Sequence, residues 1–123
     1  MRRSTVVDEF CRTSSPDVFA AGDVTRHLNP LLGRHIRVES WQVAENQPAK
    51  AALNMLGQRT AYAELPWLWS DQFGCNLQTL GIFDPQHRVV CRGDPEGEAF
   101  SLLGLDSDGR LRAAALVNGS RDM

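Results

Sequence analysis

Residues 13–23 read TSSPDVFAAGD, a polar entry followed by four apolar residues and a Gly-Asp pair. The unbroken apolar run from Val18 to Ala21 is typical of a strand that is covered on both faces, as in a parallel sheet. Such a strand needs neighbours, and too few residues precede it for a βαβ unit of about 30 residues. The sequence therefore predicts a fully buried strand over residues 17–23 that depends on partners the chain does not supply.

A helix is predicted from Ser40 to Leu56. Ser40 is a residue type that caps helix N-termini, and Gly57 is the type that ends helices. Pro48 lacks a backbone donor and crowds the carbonyl four residues earlier, so we expect a kink or break there. The residues with helical spacing that predict the apolar face are Trp41, Ala44, Ala51, Ala52, Met55 and Leu56.

Short apolar runs separated by turn residues follow Pro66 and predict an antiparallel meander, with strands pairing in sequence order. The turn at residues 106–109 is assigned to a hairpin and not to a calcium loop, because the twelfth position is Val117 instead of Glu. With the helix, this sheet gives the fold class α+β. The five predicted strands are residues 67–70, 77–83, 88–92, 99–105 and 111–117.

The composition is that of a soluble globular protein, with 123 residues, 42% hydrophobic and 23% charged. A net charge of −2 gives no reason to expect nucleic acid, and no apolar run is long enough to span a membrane. No apolar stretch follows the N-terminal arginines, so we expect no signal peptide and a cytoplasmic location. The cysteines Cys11, Cys75 and Cys91 are too scattered for a disulfide framework or metal site, which predicts small buried residues in strands.

Residues 13–23 resemble the second flavin-binding motif of the pyridine-nucleotide-dependent flavoprotein reductases, in which a buried strand delivers a Gly-Asp pair to FAD. The resemblance implies that Asp23 accepts hydrogen bonds from ribityl hydroxyls and that Gly22 lets the backbone approach the ligand closely. Taken by itself, the Gly-Asp pair favours a different interpretation, an aspartate that caps a turn after a core strand.

Residues 37–47, RVESWQVAENQ, resemble the helix that follows in the ferredoxin reductase branch of that family. The resemblance implies that the helix N-terminus, with Ser40 and Trp41, faces the isoalloxazine ring and stabilises the negative charge that reduction brings. An alternative role for Trp41, equally consistent with the sequence, is that of an aromatic core anchor that does not contact the flavin. Val43 departs from the Asn that many relatives carry.

Residues 66–72, PWLWSDQ, resemble the string that opens the C-terminal domain in the branch of putidaredoxin reductase, rhodocoxin reductase and the reductase components of aromatic-ring dioxygenases. Trp67 and Trp69 occupy alternate strand positions and therefore share a face. We expect Trp67 in the core and Trp69 on the flavin side. The resemblance continues through residues 89–94 and 116–118 to residues 121–122.

The family resemblance implies that the parent enzyme transfers a hydride from NAD(P)H to FAD and passes electrons to a small iron–sulfur ferredoxin. No G-x-G-x-x-G fingerprint occurs, so the FAD and NAD domains of the parent are expected to be missing. Residues 1–60 are then the remnant of the FAD-binding Rossmann-like domain, its last strand and helix. Residues 61–123 are the C-terminal reductase domain, truncated at its end. We expect no catalytic residue and no turnover from the fragment alone.

One alternative belongs to another class of protein: a non-catalytic docking or dimerisation module that binds no cofactor by itself. A yellow preparation would favour the flavin reading and a colourless one the module. A local basic cluster leaves a second question open, because it could steer an acidic ferredoxin or form a solvated loop. Its members are Arg26, His27, Arg34, His35 and Arg37.

Overall fold

The computed structural model describes residues 3–119, which contain one helix and eight strands. The chain divides into two units, the first ending at Leu65 and the second beginning at Pro66, and each is described by itself. The first unit holds β1 (Thr5–Val7), β2 (Thr25–Asn29), β3 (Arg34–Ile36) and α1 (Trp41–Met55). The second holds β4 (Trp67–Gln72), β5 (Cys75–Gly81), β6 (Arg88–Gly93), β7 (Phe100–Leu105) and β8 (Leu111–Val117).

The first unit builds a three-stranded sheet in the order β1-β2-β3. β1 runs parallel to β2, and β2 pairs antiparallel with β3 through a short turn. Asn29 closes that turn, because its side-chain oxygen accepts from the Leu31 and Leu32 N–H groups at 2.9 and 3.1 Å. The core of the unit gathers Cys11, Val43, Ala51 and Tyr62, with Phe19, Ala21 and Val38 packed against it.

The predicted strand over residues 17–23 is wrong. Residues 13–20 hydrogen-bond among themselves and to Cys11, with the Val18 N–H donating to Ser15 O and the Ala20 N–H donating to Cys11 O, both at 3.0 Å. Val18 is 52% exposed, and only an isolated bridge between Arg12 and Phe19 has strand geometry. Local turn bonds thus satisfy this backbone. The strand that the apolar run suggested begins later, at Thr25.

The predicted helix is confirmed. Ser40 is its N-cap, and its hydroxyl accepts from the Val43 N–H at 3.3 Å. Gly57 follows the end with a φ of 83°, the left-handed conformation that glycine adopts at little cost. The break expected as one possibility at Pro48 does not occur, because α1 is continuous from Trp41 to Met55.

The predicted apolar face of α1 is largely wrong, since Trp41, Met55 and Leu56 are 61%, 66% and 76% exposed. The face that is buried carries two amides, and it consists of Val43, Gln47, Ala51 and Asn54. The amides find backbone partners inside the unit, for example the Thr60 carbonyl for Asn54 at 2.7 Å. Satisfied polar groups can be buried, so hydrophobicity alone did not decide which face turns inward.

The five-stranded antiparallel sheet of the second unit is confirmed, but its strand order is β4-β5-β8-β7-β6 and not that of a meander. β8 lies between β5 and β7, which is Greek-key connectivity. Residues 82–87 must therefore cross from β5 to the far edge. Glycines make the crossing possible, because a Cβ at Gly104 would lie 3.1 Å from the Phe83 ring and one at Gly81 would collide with the Arg112 carbonyl oxygen.

The turns of the second unit follow the sequence closely. Asp106 accepts from the Asp108 and Arg110 N–H groups at 2.9 Å, so the predicted hairpin turn is confirmed. The prediction that the cysteines are small buried residues in strands is wrong, and Cys75, in β5, is only half-buried. Cys11 is buried in a bend with a φ of 65°, and Cys91 is exposed in β6. The resemblance at residues 121–122 falls outside the described residues. No helix in residues 3–119 has the length and apolar character needed to cross a membrane.

Candidate functional site

The Gly22–Asp23 turn immediately precedes β2. Gly22 is buried with a φ of 89°, and a Cβ placed on it would meet no atom within 4 Å. The Thr25 N–H donates to Gly22 O at 3.0 Å and closes the turn. Asp23 is exposed, and none of the residues in the range 3–119 hydrogen-bonds to its carboxylate. The turn therefore places the Asp23 carboxylate, a hydrogen-bond acceptor, at the surface beside Gly22, which has no side chain.

The turn is fastened to α1 by a buried polar network that the sequence did not indicate. Gln47 Oε1 accepts from the Gly22 N–H at 2.8 Å and lies 3.1 Å from Thr25 Oγ1. The Thr25 hydroxyl also lies 2.9 Å from Gly22 O, so its single proton has two acceptors within reach. Gln47 and Thr25 are fully buried. The network holds the turn and α1 in one fixed arrangement.

The N-terminus of α1 belongs to the same unit. Its first turn contains no acidic residue, so no carboxylate within that turn neutralises the partial positive charge there. Ser40 is committed to capping, because its hydroxyl accepts from Val43. Trp41 is largely exposed and is not a core anchor of this unit. The helix end can thus favour a negatively charged group placed before it.

These features fit a flavin. Its ribityl hydroxyls need an acceptor such as the Asp23 carboxylate, and its close approach to the backbone needs the bare Gly22 position. Its reduced ring carries a negative charge that a helix N-terminus stabilises. Gly22, Asp23, Ser40 and Trp41 are thus the residues of the first unit that could hold it.

Trp69 lies in the second unit, so it is not brought together with those four residues within one unit. It stacks on Trp67 with ring centroids 4.7 Å apart, which confirms that the two rings share a face of the sheet. Trp67 is the less exposed of the two and donates through Nε1 to Gln78 Oε1 at 3.2 Å. The position of Trp69 relative to a flavin stays a prediction.

The buried titratable groups of the first unit are held neutral. Burial, helped by the nearby Asp8, raises the pKa of the Cys11 thiol to about 11. Burial also raises the pKa of Tyr62, with a further contribution from Glu64. The pKa of His27 is lowered by burial and by His35. A thiol with a raised pKa is a poor nucleophile at neutral pH, so Cys11 is a packing residue.

The basic cluster is divided by the fold. His27 is buried, with its ring edge-on to Tyr62 at 5.3 Å, while Arg26, Arg34 and His35 are exposed on β2 and β3. His27 is therefore not part of an exposed basic surface, contrary to the cluster that was expected. Within residues 3–119, no group of three His, Cys, Asp or Glu side chains is arranged to hold a metal ion.

Two family models match the chain. Residues 1–48 match the model for pyridine nucleotide-disulphide oxidoreductase, and residues 67–123 match the model for the reductase C-terminal domain.

Relatives with similar sequences extend well beyond the matched part. The chain is 62% identical to the anthranilate 1,2-dioxygenase system ferredoxin–NAD(+) reductase component of Burkholderia cepacia, with 95% of this chain and 29% of the relative covered. It is 36% identical to the 3-phenylpropionate/cinnamic acid dioxygenase ferredoxin–NAD(+) reductase component of Photorhabdus laumondii, with 96% of this chain and 29% of the relative covered. The chain therefore spans less than a third of the length of these relatives.

A solved structure that is similar to this chain is the ferredoxin reductase for the CYP199A2 system from Rhodopseudomonas palustris. Its TM-score is 0.87 at 33% identity, with 97% of this chain and 29% of that chain covered. The covalent putidaredoxin reductase–putidaredoxin complex also has a TM-score of 0.87, at 32% identity, with 97% of this chain and 28% of that chain covered.

Proposed function

We propose that the chain belongs to the pyridine nucleotide-disulphide oxidoreductase family and is the C-terminal part of an FAD-dependent ferredoxin reductase. The complete enzyme would oxidise NAD(P)H and reduce a small iron–sulfur ferredoxin that serves a monooxygenase or a ring-hydroxylating dioxygenase. The chain alone would not turn over, because neither dinucleotide-binding fingerprint is present. A cytoplasmic location is part of this proposal.

The observation that carries the proposal is the Gly22–Asp23 turn fastened to α1. In this reading Asp23 accepts from the ribityl hydroxyls, Gly22 admits the ligand to the backbone, and the Ser40–Trp41 end of α1 lies against the ring. When bound, FAD supplies the exchange between hydride transfer and single-electron transfer. The protein contributes orientation and charge: a fixed acceptor, a bare backbone and a helix end.

We assign residues 1–60 to the end of the FAD-binding domain and residues 61–123 to the C-terminal reductase domain. Trp69 would lie on the flavin side of that second domain. The relatives with similar sequences are named as ferredoxin–NAD(+) reductase components, which supports a ferredoxin as the partner of the complete enzyme. The exposed Arg26, Arg34 and His35 are suited to steering an acidic partner.

One observation favours the alternative of a docking or dimerisation module. The helix α1 and its C-cap have large apolar side chains that are exposed: Trp41, Met55 and Leu56. Exposed apolar surface commonly marks an interface. A module would need this surface for a protein partner and would need no acceptor at Asp23. Flavin retention therefore separates the two functions.

The proposal is tested in a complete reductase in which this chain replaces the matching part of the Burkholderia cepacia relative. Asp23→Ala removes the acceptor and should weaken FAD binding by about 1–3 kcal/mol, the range for a buried hydrogen-bonded group. FAD retained after dialysis is measured by absorbance. Asp17→Ala removes another exposed carboxylate from the same segment and should leave retention unchanged. Equal flavin content in both variants would remove Asp23 from the site and favour the module.

A further inference from the structure

Gln47 is a fully buried amide in the second turn of α1, and it follows the segment that resembles the flavin-binding motif, residues 13–23, by 24 residues. Its Oε1 accepts from the Gly22 N–H at 2.8 Å. Thr25 Oγ1 lies 3.1 Å from the same oxygen. One side-chain atom thus connects the helix to both ends of the turn that presents Asp23.

Of the two polar atoms in the Gln47 side chain, the oxygen is hydrogen-bonded and the nitrogen is not, among the described residues. Its Nε2 is buried and has no hydrogen-bond partner among the described residues. Reversing the amide would not help, because it would set a donor against the Gly22 N–H donor. A buried donor without an acceptor destabilises the fold, and an apolar side chain of similar size would avoid that cost. The oxygen therefore accounts for the presence of an amide at this position.

The Gly22 backbone has particular need of that oxygen. Glycine with a φ of 89° has no side chain to restrict it, and no neighbouring atom within 4 Å of its Cβ position blocks its movement. Its carbonyl is held by the Thr25 N–H, but its N–H is held by Gln47 alone among the described residues. Without this bond the N–H of the Ala21–Gly22 peptide has no hydrogen-bond acceptor among the described residues.

We propose that Gln47 is a positioning residue that fixes the Gly22–Asp23 turn against α1, and so sets the Asp23 carboxylate at a constant distance from the helix N-terminus. Gln47 acts through Gly22 and does not touch the flavin. The inference rests on the proposed function, in which Asp23 and the helix N-terminus contact the same cofactor.

The first experiment uses the full 123-residue chain and measures amide exchange and proton shifts by NMR. Gln47→Leu removes the acceptor, and the Gly22 amide should exchange about tenfold faster relative to the protected amides of β2. Asn54→Leu, which also removes a buried amide from α1, should speed exchange evenly across the first unit. If Gly22 is no more affected by Gln47→Leu than by Asn54→Leu, the inference is overturned.

Gln47→Glu provides a second measurement that does not depend on the leucine variant folding. A carboxylate is a stronger acceptor than an amide, so the Gly22 amide proton should shift downfield and stay protected. An unchanged Gly22 shift would show that this oxygen does not hold the Gly22 N–H, and would also overturn the inference.

The complete chimeric reductase then separates this inference from the proposed function. If Gln47→Leu lowers FAD retention and Gln47→Glu restores part of it, the positioning role is supported. If Asp23→Ala lowers retention and Gln47→Leu does not, the positioning role is wrong and the proposed function stands. If neither variant alters retention, both are wrong.

Discussion

The two units of this chain are held together by different means. Five polar residues are buried in the first unit, Thr25, His27, Asn29, Gln47 and Asn54. Two of them, Asn29 and Gln47, bond to backbone groups 35 and 25 residues away in the chain. In the described part of the second unit Ser101 is the buried polar residue, and its structure rests on the ladder of five strands and on tight turns. Long-range side-chain bonds thus define one unit, and local backbone geometry defines the other.

This difference decides what each unit tolerates. The first unit should be sensitive to the loss of single amides, because Asn29 and Asn54 each bond to three backbone groups and Gln47 holds the Gly22 N–H. The second should be sensitive to changes at the glycines that let its crossover pass, because a backbone clash cannot be relieved by moving a side chain.

The largest effect is expected at Gly81 in the second unit. Gly81→Ala places a Cβ against the Arg112 carbonyl oxygen in a residue with a φ of 73°, and should destabilise the unit by roughly 3 kcal/mol, combining backbone strain and overpacking. Chemical denaturation followed by amide exchange of β5 and β8 measures the loss.

Gly109→Ala is the matched control for Gly81. Gly109 has a φ of 75° but no atom within 4 Å of its Cβ position, so only the backbone term of about 1 kcal/mol should appear. Equal losses at the two glycines would mean that the crossover is not tightly packed over β8.

A smaller loss is expected at Asn29 in the first unit. Asn29→Ala removes the oxygen that accepts from the Leu31 and Leu32 N–H groups, and the nitrogen that donates to the Glu64 carbonyl oxygen at 2.8 Å. The free energy of unfolding should fall by about 2 kcal/mol. Asn46→Ala removes one partly buried bond to Glu64 and should cost about 0.5 kcal/mol. Thermal unfolding gives both values. An Asn29 variant as stable as the Asn46 variant would show that buried amides do not hold this unit.

The smallest effect concerns pH. Burial and the neighbouring His35 lower the pKa of His27 from 6.5 in the folded state, so the unfolded chain binds the proton more readily. The stability that neutral His27 contributes is complete above about pH 6.5 and is lost as the pH falls from there toward the folded pKa. Amide exchange of β2 should therefore quicken with acid by more than its intrinsic rate explains. His27→Gln should abolish this dependence, and a wild-type slope in that variant would assign it to another group.

The sequence predicted the second unit well because its signals are local. The strand segments, the turn formers and the Asp106 hairpin turn each involve residues close together in the chain, and all were confirmed. The strand order was not predicted. Whether β6 or β8 lies beside β5 depends on the crossover through residues 82–87, and the glycines that admit it, Gly81 and Gly104, resemble any other turn residues when the sequence is read alone.

The candidate site was predicted in part. The Gly22–Asp23 pair and the Ser40 cap were named from the sequence, and both occur in the first unit. The strand expected before Gly22 was wrong, since its backbone bonds locally. Gln47 was missed because a glutamine in a helix ordinarily suggests an exposed side. Its spacing with Val43, Ala51 and Asn54 was the available signal, but only the position of the turn made it informative.

The sequence by itself determined the capped helix, the approximate positions of the five strands of the second unit and the turns between them. Caps, turns and alternating residues act within a few positions, so their energies can be recognised in the order of residues. Tertiary structure alone decided which face of α1 is buried, where β8 pairs, and which acceptor holds Gly22. Each of these choices depends on hydrogen bonds or steric limits between residues distant in the chain, such as Gly22 and Gln47. No local pattern records such a pair, because neither residue has its role until the fold has placed the other.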